Sequence, residues 1–347
     1  MTKTASDSSS ILLTGATGLL GAHLICRLTD SGIRVKALRR PSSSMATIEK
    51  VFKAYASEPE QAMGRIEWVV GDVTDYYSLE DALEGIDKIF HTAGYISFAK
   101  KERKRLEDIN VCGTANLVNA ALHCGVRKLI HVSTVESLGR MDLDELITET
   151  TPWKNSPLNT HYGVTKHAGE REAWRASEEG MEVLVVNPGL IIGLGDWNSG
   201  TGRIVQRMAQ NQSFYTEGSN GWVDVRDVAR AMIDLDAAGV HGERFILVSE
   251  NLDMKTGFEK LALNLGTKAP HRLAGKMLLN IAAWTEKFKS FVTGTEPLIT
   301  TENAVTASLK SRYDNSKLFK FIPFEYTPMD ETFREVSMRY RAEQNAQ

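Results

Sequence analysis

The stretch HYGVTKH, residues 161–167, sets Tyr162 four residues ahead of Lys166. The same spacing recurs in YDNSK, between Tyr313 and Lys317. On a helix, residues four apart share a face. A lysine placed there brings positive charge beside a phenol. Free tyrosine ionises near pH ~10, and an adjacent ammonium favours the phenolate and lowers that value. A phenol tuned in this way can exchange a proton with a substrate oxygen near neutral pH. Spacing alone does not choose between the pairs, but their surroundings do. Tyr162 follows HVSTVESLG, a strand end carrying the hydroxyls Ser133 and Thr134, and it precedes the low-bulk turn NPG at 187–189. Tyr313 lies in an irregular C-terminal region with no hydroxyl-bearing strand end behind it, so it is expected to be a packing or surface residue.

A second group of residues has the types needed to hold a dinucleotide. ILLTGATGLLGAHL spaces Gly15, Gly18 and Gly21 as G-x-x-G-x-x-G between an apolar run and a helical pattern. Glycine permits a tight turn and lets backbone approach a pyrophosphate. The following helix offers free N–H groups and the positive end of its dipole to that anion. Gly15, Thr17, Gly18, Leu19 and Leu20 are the expected contacts. At the end of the second strand an acid would mark an NAD binder. Here VKALRRPSSS puts Arg39 and Arg40 there, with Ser42 and Ser43 beside them. Guanidinium groups hold phosphate oxygens through paired donors, so the expected cofactor is NADP(H), with NAD(H) the alternative. A solvated basic turn is the plainer reading of the same residues. In GDVTD, Asp72 and Val73 are placed to meet an adenine, or Asp72 to cap the next helix. The small residues Thr92, Ala93 and Gly94 of HTAG end the fourth strand, where a cofactor can lie against the backbone.

These groups need a scaffold that brings strand ends together. The first 190 residues alternate apolar runs with helical stretches. The runs lie at 11–15, 35–38, 66–70, 88–93, 128–134 and 183–188. Their near-continuous hydrophobicity is that of strands buried on both faces of a parallel sheet. Repeated strand–helix units predict an α/β fold, a doubly wound parallel sheet of Rossmann type. After Pro188 the rhythm breaks. The glycine-rich 189–202 is expected to be a loop, with a helix at 203–210. WVDVRDVARAMIDL predicts a strand running into a helix, and RFILVS one more strand. The predicted division is a nucleotide-binding domain at 10–190 and 221–250, and a smaller, mostly helical substrate domain at 191–220 and 251–340.

Composition narrows the partners. The chain has 347 residues, 42% of them hydrophobic, enough for a large domain or two unequal ones. Its 41 basic and 44 acidic residues give a net charge of −3, which argues against nucleic acid as a partner. Cys26, Cys112 and Cys124 show no CxxC spacing and are expected to be free thiols in a reducing cytoplasm. No histidine pattern suggests a metal. LAGKMLLNIAAWTEKF is too short and too charged to insert in a bilayer. Leu273, Met277, Ile281, Trp284 and Phe288 predict a core-facing helix, a membrane-surface helix being the lesser alternative.

Taken in order, TGATGLLG, GDVTD, HVSTVESLG, YGVTK, NPG and WVDVRDVARA resemble the extended short-chain dehydrogenase/reductases, from about residue 10 to about 335. The resemblance implies a Rossmann fold, a nicotinamide cofactor and a Ser/Thr–Tyr–Lys catalytic set. Anchored on Gly139, the catalytic hydroxyl falls on Thr134, with Ser133 its neighbour. Tyr162 becomes the general acid/base, and Lys166 tunes it and holds the nicotinamide ribose. Asn110 matches a family asparagine near the active site. Pro188, Gly189 and Ile191 match residues that touch the nicotinamide through the backbone. The family also implies a homodimer through helices near 110–124 and 162–178.

Departures from the family pattern narrow the reaction. Sugar-nucleotide 4,6-dehydratases carry Asp–Glu after the catalytic Thr, where this chain has Val135–Glu136. Glu136 also matches a glutamate of 3β-hydroxysteroid dehydrogenase-like members. The arginine that grips a diphosphate is replaced by Asn220–Gly221, although Arg203 or Arg207 could substitute. WVDVRDVARA and TGTEPLITTENA resemble the dihydroflavonol reductase-like branch. The expected function is an NADP(H)-dependent oxidoreductase acting on a bulky small-molecule ketone or secondary alcohol. Tyr95, Phe98, Trp197, Phe214, Tyr215 and Trp222 are candidates for an apolar pocket, plain packing being the commoner reading of each. The alternatives are a sugar-nucleotide epimerase and a non-catalytic NADP(H)-binding regulator.

Overall fold

The computed structural model describes residues 10–139, 146–275 and 308–345. The strands are β1 (Ile11–Thr14), β2 (Val35–Arg39), β3 (Ile66–Val70), β4 (Lys88–His91), β5 (Lys128–Val132), β6 (Leu146–Ile147) and β7 (Glu182–Pro188). They continue as β8 (Leu190–Ile192), β9 (Phe214–Tyr215), β10 (Ser219–Asp224), β11 (Glu243–Leu247), β12 (Glu250–Asp253), β13 (Arg272–Leu273) and β14 (Arg312–Tyr313). Seven of them form one sheet in the order β11-β7-β5-β4-β1-β2-β3, with every pairing parallel. The predicted doubly wound Rossmann sheet is therefore the fold. The order reverses between β1 and β4, so the helices after these strands leave on opposite faces and open a crevice between them.

Both faces of the sheet are covered, which explains the unbroken apolar runs. Adjacent residues of β1 point to opposite sides. Leu13 joins a core built with the helices Leu19–Asp30, Ala46–Tyr55 and Val225–Ala237, while Leu12 joins one built with Tyr76–Leu83, Gly113–His123 and His161–Glu178. Fully burying each such side chain stabilises the fold by about 1.5–3 kcal/mol.

A second core forms around a three-stranded sheet, order β12-β10-β8. It gathers Ile192, Trp197, Trp222, Leu261, Phe333 and Tyr340, so the C-terminal helix Met329–Asn345 packs here. That helix is also tied to the first helices of the large sheet: Lys50 pairs with Glu343 at 2.7 Å, and the Tyr55 hydroxyl donates to Glu335 at 2.7 Å.

Three expectations change. The predicted loop at 189–202 contains β8, because Ile191 pairs with Val223 and the apolar trio 190–192 completes the small sheet. The helix expected from Leu273 does not begin there, since Leu273 sits 43% exposed on β13. Met277, Ile281, Trp284, Phe288 and the TGTEPLITTENA segment lie outside the described residues. Strand β10, expected with the large sheet, belongs to the small one. Among the described residues no helix is long and apolar enough to cross a membrane.

Three histidines are buried: His23, His91 and His131. Burial lowers His23 to about 4 and His91 to about 3, and drives His131 far below the ordinary value. Each is neutral when folded and protonates near pH ~6.5 when unfolded. The stability they contribute is whole above that value and is lost as pH falls through the folded values. For His23 alone this is ~3 kcal/mol between pH ~6.5 and ~4. The urea midpoint should therefore drop steadily over that window. Both ring nitrogens of His131 lack a partner among the described residues, so His131→Leu should be no less stable than the parent at pH 7 and should flatten part of the acid slope. A steeper slope in that variant would count against the assignment.

Candidate active site

The site lies at the C-terminal ends of β1, β4, β5 and β7. The turn after β1 is the tightest part. Gly15 has φ +73°, and a Cβ added there would lie 2.5 Å from the backbone nitrogen of Ala93. A Cβ on Gly21 would meet the Gly15 carbonyl at 2.1 Å. Two glycines therefore let the helix Leu19–Asp30 start directly against the end of β4. Thr92 closes the contact, its hydroxyl donating to the Thr14 carbonyl at 2.8 Å. The resulting cradle is bare backbone facing a helix N-terminus, which suits a pyrophosphate. Thr17, Gly18, Leu19 and Leu20 form the turn and first helical residues of this cradle.

Arg39 ends β2, and its Nε is buried without a hydrogen-bond partner among the described residues. A guanidinium nitrogen left so costs free energy unless an acceptor arrives, so Arg39 fits a phosphate. Arg40 is exposed, its backbone tied to Ser43. Asp72 does not cap the next helix. That role falls to Asp75, which accepts from the amides of Tyr77 and Ser78, while Asp72 holds the Thr74 amide and hydroxyl, each at 2.9 Å. Val73 is buried against Gly113. Pro188 ends β7, Gly189 lies against the Gly221 carbonyl, and Ile191 is in β8.

The helix His161–Glu178 starts where Thr160 caps it, its hydroxyl accepting the Gly163 amide at 2.8 Å. Its first turns present Tyr162, Lys166 and Glu170 along one face. The Thr134 side chain faces the Tyr162 phenol and favours its ionised form. Thr134 begins a 3-10 turn beyond β5, where its hydroxyl also accepts the Glu136 amide at 3.3 Å. The ring of Phe98 stands edge-on to Tyr162 at 6.1 Å. Lys166 is 5% exposed and donates to the Val132 carbonyl at 2.8 Å. Its Nζ lies 3.8 Å, and Asn110 Oδ1 3.5 Å, from the place a Cβ on Gly94 would take. Asn110 sits in a π-helical stretch, Glu107–Cys112, and clamps the backbone of Tyr95 from both sides, accepting from its amide at 2.8 Å and donating to its carbonyl at 2.9 Å.

The electrostatics run against the simplest expectation. Burial, and after it the charge of Glu136, pushes the Tyr162 phenol above its ordinary value, opposed only by the Thr134 hydroxyl. The lysine does not offset that burial, since its ammonium is turned to a carbonyl of β5. Lys166 itself is brought down to about 8 by burial, with the Glu170 charge opposing.

Ser133 and Thr134 part company. The Ser133 hydroxyl donates to Ser137 at 2.9 Å, on the side of Glu170. Glu170, 2% exposed, accepts from Ser137 at 2.7 Å, Asn187 at 2.9 Å, Arg244 at 3.1 Å and Trp174 at 3.2 Å. Sequence reasoning missed this group, although Glu170 continues the four-residue spacing of Tyr162 and Lys166.

Other candidates disperse. Tyr313 lies on β14 and Lys317 pairs with Glu243 at 2.6 Å, so that pair shares no helix. Trp222 and Trp197 are buried in the second core, and Phe214 and Tyr215 form β9. Of the proposed pocket aromatics, Phe98 touches Tyr162, and Tyr95 adjoins through Asn110.

Residues 11–247 match the NAD dependent epimerase/dehydratase family. The chain is 32% identical over 69% of its length, and 70% of the relative, to sterol demethylase protein B of Methylococcus capsulatus. It is 29% identical over 88% of its length, and 87% of the relative, to a Synechocystis protein provisionally named a dihydroflavonol 4-reductase. The crystal structure of gox2253 superposes with a TM-score of 0.79 at 27% identity, covering 96% of this chain and 98% of that one.

The close approach at Gly15 is directly testable. Gly15→Ala adds strain at positive φ and a clash with Ala93, together about 2–3 kcal/mol, or roughly 5 °C in thermal midpoint. It should also weaken nicotinamide dinucleotide binding in a fluorescence titration. Unchanged melting and binding would refute the packing described.

Proposed function

Since the chain belongs to the NAD dependent epimerase/dehydratase family, whose members are NAD(P)-dependent enzymes, we propose that it is an NADP(H)-dependent reductase of a bulky ketone, or a dehydrogenase of the matching alcohol. The carrying observation is the convergence of the Thr134 hydroxyl and the Tyr162 phenol beside the buried Lys166. The nicotinamide, when bound, supplies or accepts the hydride. The rest is work for the chain's own residues.

Tyr162 keeps its proton at neutral pH, because burial disfavours the phenolate. A protonated phenol is the form that donates to a carbonyl oxygen as it gains charge. Thr134, beside the phenol, offers its hydroxyl to the same oxygen. Lys166 stands behind with a positive charge that stabilises the tyrosinate left after donation. Phe98 gives the pocket an apolar wall beside the phenol.

Arg39 and Arg40 support NADP(H) over NAD(H), Arg39 through its unpartnered buried Nε. A ketone substrate is supported by the relative provisionally named a dihydroflavonol 4-reductase and by Asn220–Gly221 in place of a diphosphate-gripping arginine. We assign substrate binding to residues 191–220 and 251–340.

Tyr162→Phe should bind NADPH as the parent does and lose at least about 10²-fold in kcat, followed by absorbance of NADPH with a panel of ketones and nucleotide sugars. Near-parent turnover would sink the assignment, and sugar interconversion without net cofactor change would favour an epimerase. Separately, Arg39→Ala should raise the KM for NADPH about tenfold or more while leaving that for NADH nearly unchanged. An equal effect on both would leave the 2′-phosphate without a reader.

A further inference from the structure

Glu170 is a carboxylate buried among donors. It lies one turn beyond Lys166 on the helix His161–Glu178, facing the end of β5. Its Oε2 takes the Ser137 hydroxyl and the Asn187 amide, and its Oε1 takes Arg244 and the indole of Trp174. The same two Oε2 partners reach the main chain at Thr134. Ser137 Oγ lies 2.7 Å, and Asn187 Nδ2 3.2 Å, from the Thr134 carbonyl. Asn187 is fully buried on β7 and Arg244 comes from β11, so the carboxylate ties two strands to the turn after β5 that carries Thr134.

We propose that Glu170 is the positioning residue of this site: it fixes the strand end that carries Thr134 and keeps the Lys166 ammonium charged. The proposal rests on the reading of Thr134, Tyr162 and Lys166 as the catalytic set.

Among the groups around Lys166, Glu170 is the anion that acts on it. His91 on β4 and His131 on β5 are both within its field, both buried and both neutral. The Val132 carbonyl offers a dipole and no charge. Glu170, four residues further along the same helix, is the charge that opposes the burial of Lys166, and its Oε1 also takes Arg244. Despite its burial Glu170 stays ionised, because Ser133, Ser137, Arg244 and Asn187 all favour the charged form. A buried anion so satisfied holds its partners at fixed positions.

A purely structural role for Glu170 would lower stability and nothing more, so the test reads Lys166 itself. The titration of the Lys166 ammonium is followed by 13C NMR in lysine-labelled protein, with Lys166→Met assigning the signal. Glu170→Gln should move the midpoint down by roughly one pH unit, and the alkaline limb of the kcat profile should move with it. Glu170→Asp, which keeps the charge and shortens the reach, should lower kcat and leave the midpoint near the parent's. Ser137→Ala should lower kcat severalfold with KM and the Lys166 midpoint unchanged. Parent-like titration in Glu170→Gln, or parent-like kcat in Ser137→Ala, overturns the proposal. Should Glu170→Gln not fold, Ser137→Ala and Glu170→Asp decide it. A parent chain that reduces no ketone, with Lys166 still displaced in Glu170→Gln, refutes the catalytic reading and leaves the electrostatic coupling standing.

Discussion

The architecture depends on one close approach of the chain to itself. Where β1 ends, Gly15 lies against the backbone of Thr92 and Ala93, leaving no room for a side chain. If that contact opened, the first helix would shift away from β4. The crevice where the strand order reverses would then lose its floor. Every other feature of the site is placed relative to it. Gly94 follows directly from Ala93, and both Lys166 and Asn110 are measured against the space over Gly94. The parallel sheet makes this possible, because all its strands end on the same rim and deliver Thr14, His91, Val132 and Pro188 to one edge.

The contribution of each strand end is decided by which way its side chains fall. Consecutive residues Ser133 and Thr134 point apart, as a strand's alternation requires. Thr134 turns to Tyr162 and Ser133 turns to the polar cluster around Glu170. One residue thus faces the proposed chemistry while its neighbour anchors the backbone that carries it. The two sides remain coupled through the Thr134 carbonyl, which Ser137 and Asn187 both reach.

Much of this was legible in the residues. The glycine triplet, the apolar runs and the small residues after β4 all imply backbone packed without side chains, and that is a local property. Tyr162 and Lys166 were separable from Tyr313 and Lys317 because a hydroxyl-bearing strand end precedes the first pair and none precedes the second. Glu170 was not legible. A glutamate on a charged helix normally faces solvent, and its partners Asn187 and Arg244 are supplied by strands far along the chain. Trp197 and Trp222 were candidates for a pocket, with plain packing the commoner reading, and their bulk fills the second core, since nothing local distinguishes an aromatic lining a pocket from one packed behind it. The sign of the Tyr162 shift was also beyond reach. Spacing reports that a lysine shares a face, whereas the shift depends on how deeply the phenol is buried and where the ammonium turns.

That sign changes how the proposed chemistry is balanced. A phenol held protonated needs no help to donate, but the tyrosinate it leaves behind does. Burial that favours the neutral acid before transfer opposes the anion after it. The site therefore needs a cation that is already in place and already charged, since reorganising one during the step would cost part of the gain. Lys166 meets the first condition through its hydrogen bond to β5. It meets the second narrowly, because burial draws it to about 8. Two neutral histidines beside it lend no negative charge, and protonating either would place a second cation in the same space. The fold avoids that by burying them past titration. The proposed source of that ammonium's charge is the buried carboxylate of Glu170 one helical turn away, itself held ionised by donors from β7, β11 and the turn after β5.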